Sequence, residues 1–125
     1  MILVDTSVWI DHLRGGNVTL SSLLDDSAAL VHPWVIGELA LGNLGRRDEI
    51  LDLLRALPQA TLADDEEVLG LIDRERLYGA GIGYVDVQLL AATRLTPDTR
   101  LWTIDKALSG VTARLGLGFE PPPHP

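Results

Sequence analysis

The sequence predicts a single three-layer α/β/α domain, in which helices cover both faces of a central parallel sheet. Short apolar runs alternate along the chain with amphipathic stretches of helical period, which is the pattern of strand–helix–strand units. A length of 125 residues fits one domain, and 46% apolar with 22% charged residues fits a chain that buries a core. We find neither an internal repeat nor an interdomain linker.

The chain opens with a predicted strand followed by two helices. Ile2-Leu3-Val4 is a short apolar, partly β-branched run that ends at Asp5, as a buried parallel strand would. A helix then begins at Thr6 and is stopped by Gly15-Gly16. A second helix covers Leu20 to Asp26.

A second strand and two more helices are predicted next. Residues 28–32 form the strand, and Pro33 begins a helix at a position where its missing N–H costs little. Gly42-Asn43 closes that helix. The segment Arg47 to Leu57 makes an amphipathic helix that is ended by Pro58.

The middle of the chain contains one weak strand candidate and two helices. The strand candidate is residues 59–62. Residues 64–67 place negative charge in the first turn of a helix, where the helix dipole favours it, and this helix runs to about Tyr78. A loop covers Gly79 to Gly83, and Val85 to Leu95 forms a helix.

A final strand and helix complete the predicted domain. The strand is Arg100 to Ile104 and the helix is Asp105 to Leu115, separated from the preceding helix by a turn. The prolines at 121–123 continue neither helix nor sheet. We therefore expect a domain over residues 1–119 and a flexible proline-rich tail over residues 120–125.

Composition narrows the classes of function. The chain has no cysteine, which excludes disulfides, thiolate zinc sites and cysteine nucleophiles. Its first residues do not resemble a signal peptide, and no apolar run approaches the roughly 18 residues of a membrane span. We expect a soluble, cytoplasmic protein.

The net charge of −8 opposes the binding of a phosphate backbone. Proteins that hold nucleic acid by electrostatics alone are usually basic. A nucleic-acid enzyme of this composition would need bound cations, a local arginine patch or a partner.

Four acidic residues from distant segments are predicted to meet at one edge of the sheet. In parallel α/β sheets, sites form beyond the carboxyl ends of the strands, and Asp5 and Asp105 directly follow the first and last strands. Glu38 lies about one and a half turns into the helix after the second strand. Asp86 lies in the first turn of the helix after Gly83. Because both helices begin near strand ends, we expect all four side chains to reach the same crevice.

Four carboxylates cannot cluster without a cation, because their mutual repulsion would raise their pKa values or push the site apart. Hard oxygen ligands of this kind suit Mg²⁺ or Mn²⁺. One or two such ions can activate water for the displacement of a phosphodiester, and they would also attract RNA to an acidic protein.

Each of these acids also has an ordinary structural explanation. An Asp between a strand and a helix is commonly an N-cap, which applies to Asp5, Asp86 and Asp105. Glu38 has apolar neighbours in the sequence, so it would need a metal or an ion pair with an arginine. Spacing alone leaves both interpretations open.

Four segments of the chain carry a family resemblance. They are Val4-Asp5-Thr6-Ser7-Val8-Trp9-Ile10, Val35-Ile36-Gly37-Glu38-Leu39, Gly83-Tyr84-Val85-Asp86-Val87-Gln88-Leu89-Leu90-Ala91-Ala92 and Leu101-Trp102-Thr103-Ile104-Asp105-Lys106. Together they resemble the motifs of PIN-domain ribonucleases of the VapC type, the toxins of bacterial toxin–antitoxin pairs. The resemblance spans residues 1 to about 119, in the family's order and at its usual spacing.

The resemblance implies a PIN-like α/β/α fold and an endoribonuclease that depends on Mg²⁺ or Mn²⁺. It also implies a homodimer and inhibition by a cognate VapB-type antitoxin, whose C-terminal segment, often carrying an arginine, enters the acidic groove. By matching motif, the catalytic and metal-binding acids would be Asp5, Glu38, Asp86 and Asp105.

The remaining candidate residues would support the acids or contact RNA. Ser7 and Thr6 would hydrogen-bond within the site, with helix capping as the alternative, and Thr103 would orient Asp105 unless it is simply a strand residue. The candidates for RNA contact are three arginines that flank the groove: Arg14, Arg46 and Arg47. The three tryptophans either stack on bases or pack in the core or at a dimer interface.

Other classes of protein also place acids at strand ends. A receiver-like fold needs paired acids at the first strand and a phosphorylatable Asp near mid-chain. A dehalogenase-like phosphatase needs a second Asp two residues after the first, where this chain has Ser7. Both fit poorly. A PIN-like scaffold that only binds a partner is the non-enzymatic alternative, and the presence of all four acids argues against it.

Overall fold

The computed structural model describes residues 1–123 and shows seven helices and three strands within that range. The strands are β1 (Ile2–Val4), β2 (Ala29–Leu30) and β3 (Arg100–Trp102). The helices are α1 (Thr6–Gly15), α2 (Val18–Asp25), α3 (Pro33–Ala40), α4 (Arg47–Ala56), α5 (Asp65–Arg74), α6 (Tyr84–Leu95) and α7 (Lys106–Leu115). His124 and Pro125, the end of the predicted tail, lie outside the described residues.

The sheet is parallel and has β1 at its centre. β1 pairs with β2 on one side and with β3 on the other, so Leu3 is opposite both Leu30 and Leu101. Two single bridges extend the sheet outward, from Val31 to Gln59 and from Leu101 to Gly118. The predicted α/β class is confirmed, whereas the weak strand at 59–62 is reduced to one bridging residue.

The core forms because both faces of β1 and all sides of the middle of α6 are covered. Leu3 and Val4 are fully buried, as the apolar run in this strand predicts. Helix α6 contains a continuous buried stretch from Val87 to Thr93 and contacts β3 and α5. No helix within residues 1–123 is long and apolar enough to cross a membrane.

The last strand is shorter than predicted. It ends at Trp102, not at Ile104, because the next two residues turn their polar groups toward the end of β1. Thr103 donates a hydrogen bond to Asp5, and the Ile104 N–H donates one to Ser7. Asp105 consequently lies three residues beyond the strand.

Some helix boundaries also differ from the prediction. α5 ends at Arg74, short of Tyr78, because Arg76 adopts a left-handed backbone with φ of 52°. α2 begins at Val18, earlier than predicted, because the Asn17 side chain accepts a hydrogen bond from the Leu20 N–H and caps it.

Candidate active site

Asp5 directly follows β1 at the carboxyl edge of the sheet, where the strand order reverses and where parallel α/β sheets commonly form their sites. Its side chain is only 6% exposed. Two hydroxyl groups donate hydrogen bonds to its Oδ2, Ser7 Oγ at 2.6 Å and Thr103 Oγ1 at 2.7 Å. Asp5 occupies the N-cap position of α1, but its side chain makes no capping hydrogen bond, so capping does not explain the carboxylate.

Ser7 and Thr103 also join the ends of β1 and β3. Ser7 Oγ accepts from the Ile104 N–H at 3.2 Å, and Thr103 Oγ1 accepts from the Asp105 N–H at 3.0 Å. Thr103 was predicted to orient Asp105, and its hydroxyl contacts the Asp105 backbone while it donates its proton to the Asp5 side chain. These hydroxyls therefore hold the two neighbouring strand ends and the Asp5 carboxylate together.

Asp105 is exposed and serves as the N-cap of α7, because its Oδ2 accepts from the Leu108 N–H at 2.9 Å. The ordinary capping interpretation holds for this side chain. The cap also fixes where the charge of Asp105 lies, at the same edge of the sheet as Asp5.

Asp86 lies in the first turn of α6 and accepts a hydrogen bond from the Gly83 N–H at 3.0 Å. Burial raises the pKa of the Asp86 carboxyl, and the Gly83 hydrogen bond acts in the opposite direction. The negative charges of Asp5, Asp105 and Glu38 raise the pKa of Asp86 further. The four acids therefore act on a common region at the carboxyl edge of the sheet.

Glu38 reaches this region from the solvent side of α3. Its side chain is exposed, whereas Ile36 and Leu39 point into the core. The expectation that Glu38 sits among apolar residues was wrong, because neighbours in a helical sequence point in different directions. Thr6 Oγ1 donates a hydrogen bond of 2.6 Å to Glu38 Oε1, so Thr6 contacts the site and does not cap α1.

We call Asp5, Glu38, Asp86 and Asp105 the acidic site. Their charges interact, yet across residues 1–123 no three acidic or histidine side chains stand close enough to ligate one metal ion as they are. The two observations agree, because carboxylate charges repel one another over distances much longer than a bond between a metal ion and its ligand. The acids border a shared space and do not converge on one point.

A groove of about 550 Å³ runs from Glu38 between α1 and the start of α4. Arg14 and Arg46, two of the predicted RNA contacts, line it, together with apolar residues that include Ile10 and Ile50. Arg47 is not part of this lining, and it donates a hydrogen bond of 3.4 Å to the Gly42 carbonyl. Two of the three arginines thus border the groove next to the acidic site.

The tryptophans divide into two groups. Trp9 and Trp102 are 4% and 3% exposed and belong to the core. Trp34 is 42% exposed, and its ring centroid lies 5.6 Å from that of Tyr84, which is 41% exposed. Sequence reasoning assigned no role to Tyr84, although its place two residues before Asp86 was a signal.

Comparison with known proteins gives one clear relationship. No family model matches the chain. The chain is 50% identical, over 119 residues, to Ribonuclease VapC32 of Mycobacterium tuberculosis, in strain CDC 1551 / Oshkosh and in strain ATCC 25618 / H37Rv. The match covers 95% of this chain and 96% of the relative. The chain therefore belongs to the VapC-type family of PIN-domain ribonuclease toxins.

Proposed function

We propose that this chain is an endoribonuclease that hydrolyses RNA phosphodiester bonds at the acidic site with Mg²⁺ or Mn²⁺ bound. The observation that carries the proposal is that four acids border one region at the carboxyl edge of the sheet: burial raises the pKa of Asp86, and the charges of Asp5, Asp105 and Glu38 raise it further. Such an excess of negative charge favours binding of a divalent cation. The name of the relative, Ribonuclease VapC32, supports RNA as the substrate.

The residues present fit a divalent ion with hard oxygen ligands. Asp5, Glu38, Asp86 and Asp105 would hold it, directly or through water. Mg²⁺ commonly keeps several waters and takes one or two carboxylates, so a site whose acids stand apart suits it. When bound, the ion would supply polarisation of water and compensation of the charge that develops on the phosphate.

The chain's own groups orient the acids and receive the RNA. Both hydroxyl protons of Ser7 and Thr103 go to Oδ2 of Asp5, which leaves its Oδ1 without a donor among residues 1–123. That oxygen is the one we assign to the ion. Arg14 and Arg46 would attract the phosphate backbone along the groove, which offsets the charge of −8 locally.

Cleavage of RNA by the purified protein tests this proposal. We expect cleavage with Mg²⁺ or Mn²⁺, none in excess chelator, and none for Asp86→Asn. The matched control is Asp52→Asn, which removes an acid that is 79% exposed on α4 and lies outside the acidic site. Undiminished cleavage in chelator, or equal activity of Asp86→Asn, would overturn the proposal. If Asp86→Asn and the wild type were equally active, the result would also favour the alternative that the chain is a non-enzymatic scaffold that only binds a partner.

We further propose that the chain is the toxin of a toxin–antitoxin pair in the cytoplasm and is inhibited by a VapB-type antitoxin. An arginine of the antitoxin would neutralise the acidic site, whose unbalanced charge supports this mode of inhibition. Expression of the chain alone should arrest growth, and co-expression of the neighbouring upstream reading frame should relieve the arrest. Asp86→Asn is the control that should be harmless. Harmless expression of the wild-type chain at good yield would contradict the toxin assignment.

We also propose a homodimer. The family to which the chain belongs supports this proposal, and exposed apolar side chains such as Leu69 on α5 and Leu95 at the end of α6 are available to an interface. Sedimentation of the purified chain should give twice the monomer mass, and a monomer at micromolar concentration would contradict it.

A further inference from the structure

Two large aromatic side chains stay exposed beside the acidic site. Trp34 and Tyr84 are 42% and 41% exposed, with ring centroids 5.6 Å apart and planes inclined at 48°. The other two tryptophans of the chain are buried. Two adjacent exposed aromatic rings offer a large apolar surface that a flat ligand can cover.

The pair lies between the two helices that carry Glu38 and Asp86. Trp34 is in the first turn of α3, four residues before Glu38, and residues four apart share one helix face. Tyr84 is the first residue of α6, two residues before Asp86. Both rings therefore stand at the helix starts on the carboxyl edge of the sheet, next to the acids that would cleave the phosphodiester.

Trp34 contacts the buried side chain of His32. Nδ1 of His32 accepts a hydrogen bond of 3.1 Å from the backbone N–H of Trp34. The His32 and Trp34 rings meet edge to face, with centroids 6.5 Å apart. This contact fixes the start of α3 and limits the orientations open to the indole.

We propose that Trp34 and Tyr84 form a stacking platform for an unpaired base of the RNA substrate, which seats the chain of nucleotides against the acidic site. This inference rests on the proposed ribonuclease function. Stacking attracts a base without using charge, so on a protein of net charge −8 it adds affinity to the attraction that Arg14 and Arg46 would give the phosphates. It also favours single-stranded RNA, because paired bases are not free to stack on protein.

The kinetic test uses Trp34→Ala and Tyr84→Ala, with Trp34→Phe as the conservative variant. We expect Trp34→Ala to raise KM for single-stranded RNA about tenfold, with a smaller change in kcat, and Trp34→Phe to restore most of the loss. The slope of the salt dependence should stay the same, because no charge is removed.

The matched control is Leu62→Ala, which removes an apolar side chain that is 54% exposed. It follows Thr61, whose N–H bonds to Thr96 at the far end of α6. That end lies about 18 Å from the start of the helix, by the rise of 1.5 Å per residue. We expect Leu62→Ala to leave KM unchanged.

A binding measurement tests the platform even if the Trp34→Ala variant fails to fold. In the Asp86→Asn protein with Mg²⁺, an unstructured oligouridylate should quench the fluorescence of Trp34, and the same backbone without bases should not. Equal quenching by both oligomers, or none by either, would overturn the platform. A Trp34→Ala variant that changes only the oligomeric state would also overturn the platform, because it would assign the two rings to a protein interface.

If the wild-type chain cleaves RNA and Trp34→Ala has an unchanged KM, only the platform fails. If the wild-type chain cleaves no RNA, the proposed function fails.

Discussion

Asp5 and Glu38 belong to one acidic site, but the protein holds them in opposite ways. Asp5 is 6% exposed and receives two hydroxyl protons, one from α1 and one from the residue after β3. Glu38 is exposed and receives one, from Thr6. The site therefore has an end that the sheet fixes and an end that a single helix-borne contact positions. Orientation should matter more at the buried end, because a buried hydrogen bond to a charge is worth more than an exposed one.

The largest expected effect separates the two acids directly. Asp5→Asn should reduce RNA cleavage by about a thousandfold, because it removes several kcal/mol of charge compensation at the fixed end. Glu38→Gln should cost less, about ten- to a hundredfold, since an exposed side chain can be replaced in part by water. Initial rates under saturating Mg²⁺ measure both. A larger loss in Glu38→Gln would reverse the comparison.

The second expected effect concerns the hydroxyls. Thr103→Val keeps the shape of the side chain but removes the proton given to Asp5 and the acceptor of the Asp105 N–H. We expect cleavage to fall about ten- to a hundredfold and the free energy of unfolding to fall by about 1–2 kcal/mol.

Thr6→Val is the matched control, because it removes one exposed hydrogen bond to Glu38. Its effect should be under about tenfold on cleavage, with little change in stability. Rates and denaturant titrations give both quantities. Equal losses in the two variants would show that the two ends of the site are held equally firmly.

The sequence predicted the fixed end better than the adjustable end. Strand ends are visible as apolar runs, so the position of Asp5 directly after β1 followed from the predicted sheet, whereas Asp105 lies three residues beyond β3 and not directly after it. The direction of Glu38 did not follow from the sequence, because its apolar neighbours suggested burial while the helix turns it to solvent. The hydrogen bond from Thr103 to Asp5 joins residues 98 positions apart, and no local sequence pattern reports it.

The ends of the elements were the least predictable part of the fold. Thr103 and Ile104 continue the apolar, β-branched pattern of a strand, yet they leave the sheet to hydrogen-bond with Asp5 and Ser7. Gly118 joins the sheet through one bridge, which is too short to produce a periodic signal.

The third prediction concerns stability at the helix that carries Asp86. Because the pKa of Asp86 is raised in the folded protein, its contribution to stability is present below the unfolded pKa of about 3.9 and is lost as pH rises through the folded value. At neutral pH the carboxylate therefore opposes folding when no cation is bound. Asp86→Asn should raise Tm by a few degrees at most in chelator, and it should reduce the stabilisation that Mg²⁺ gives to the wild type. Thermal unfolding in chelator and in Mg²⁺ measures this; a lower Tm for Asp86→Asn in chelator would contradict it.

The smallest expected effect concerns His32, which caps the helix that carries Glu38. Burial lowers its pKa, so below about pH 6.5 the unfolded chain takes up a proton that the folded protein resists. The free energy of unfolding should fall as pH decreases from about 6.5 through the lowered folded pKa. Denaturant titrations across this range measure the slope. His32→Asn keeps an acceptor for the Trp34 N–H and should flatten the slope; an unchanged slope would show that another group causes it.

Binding of Mn²⁺ to the protein without RNA tests most directly whether the four acids form one cation site organised around Asp5. Calorimetric titration compares the wild type with Asp5→Asn and with Asp52→Asn, the exposed acid outside the site. We expect the wild type and Asp52→Asn to bind Mn²⁺ with the same affinity and Asp5→Asn to lose binding. Wild-type affinity in Asp5→Asn would contradict the account.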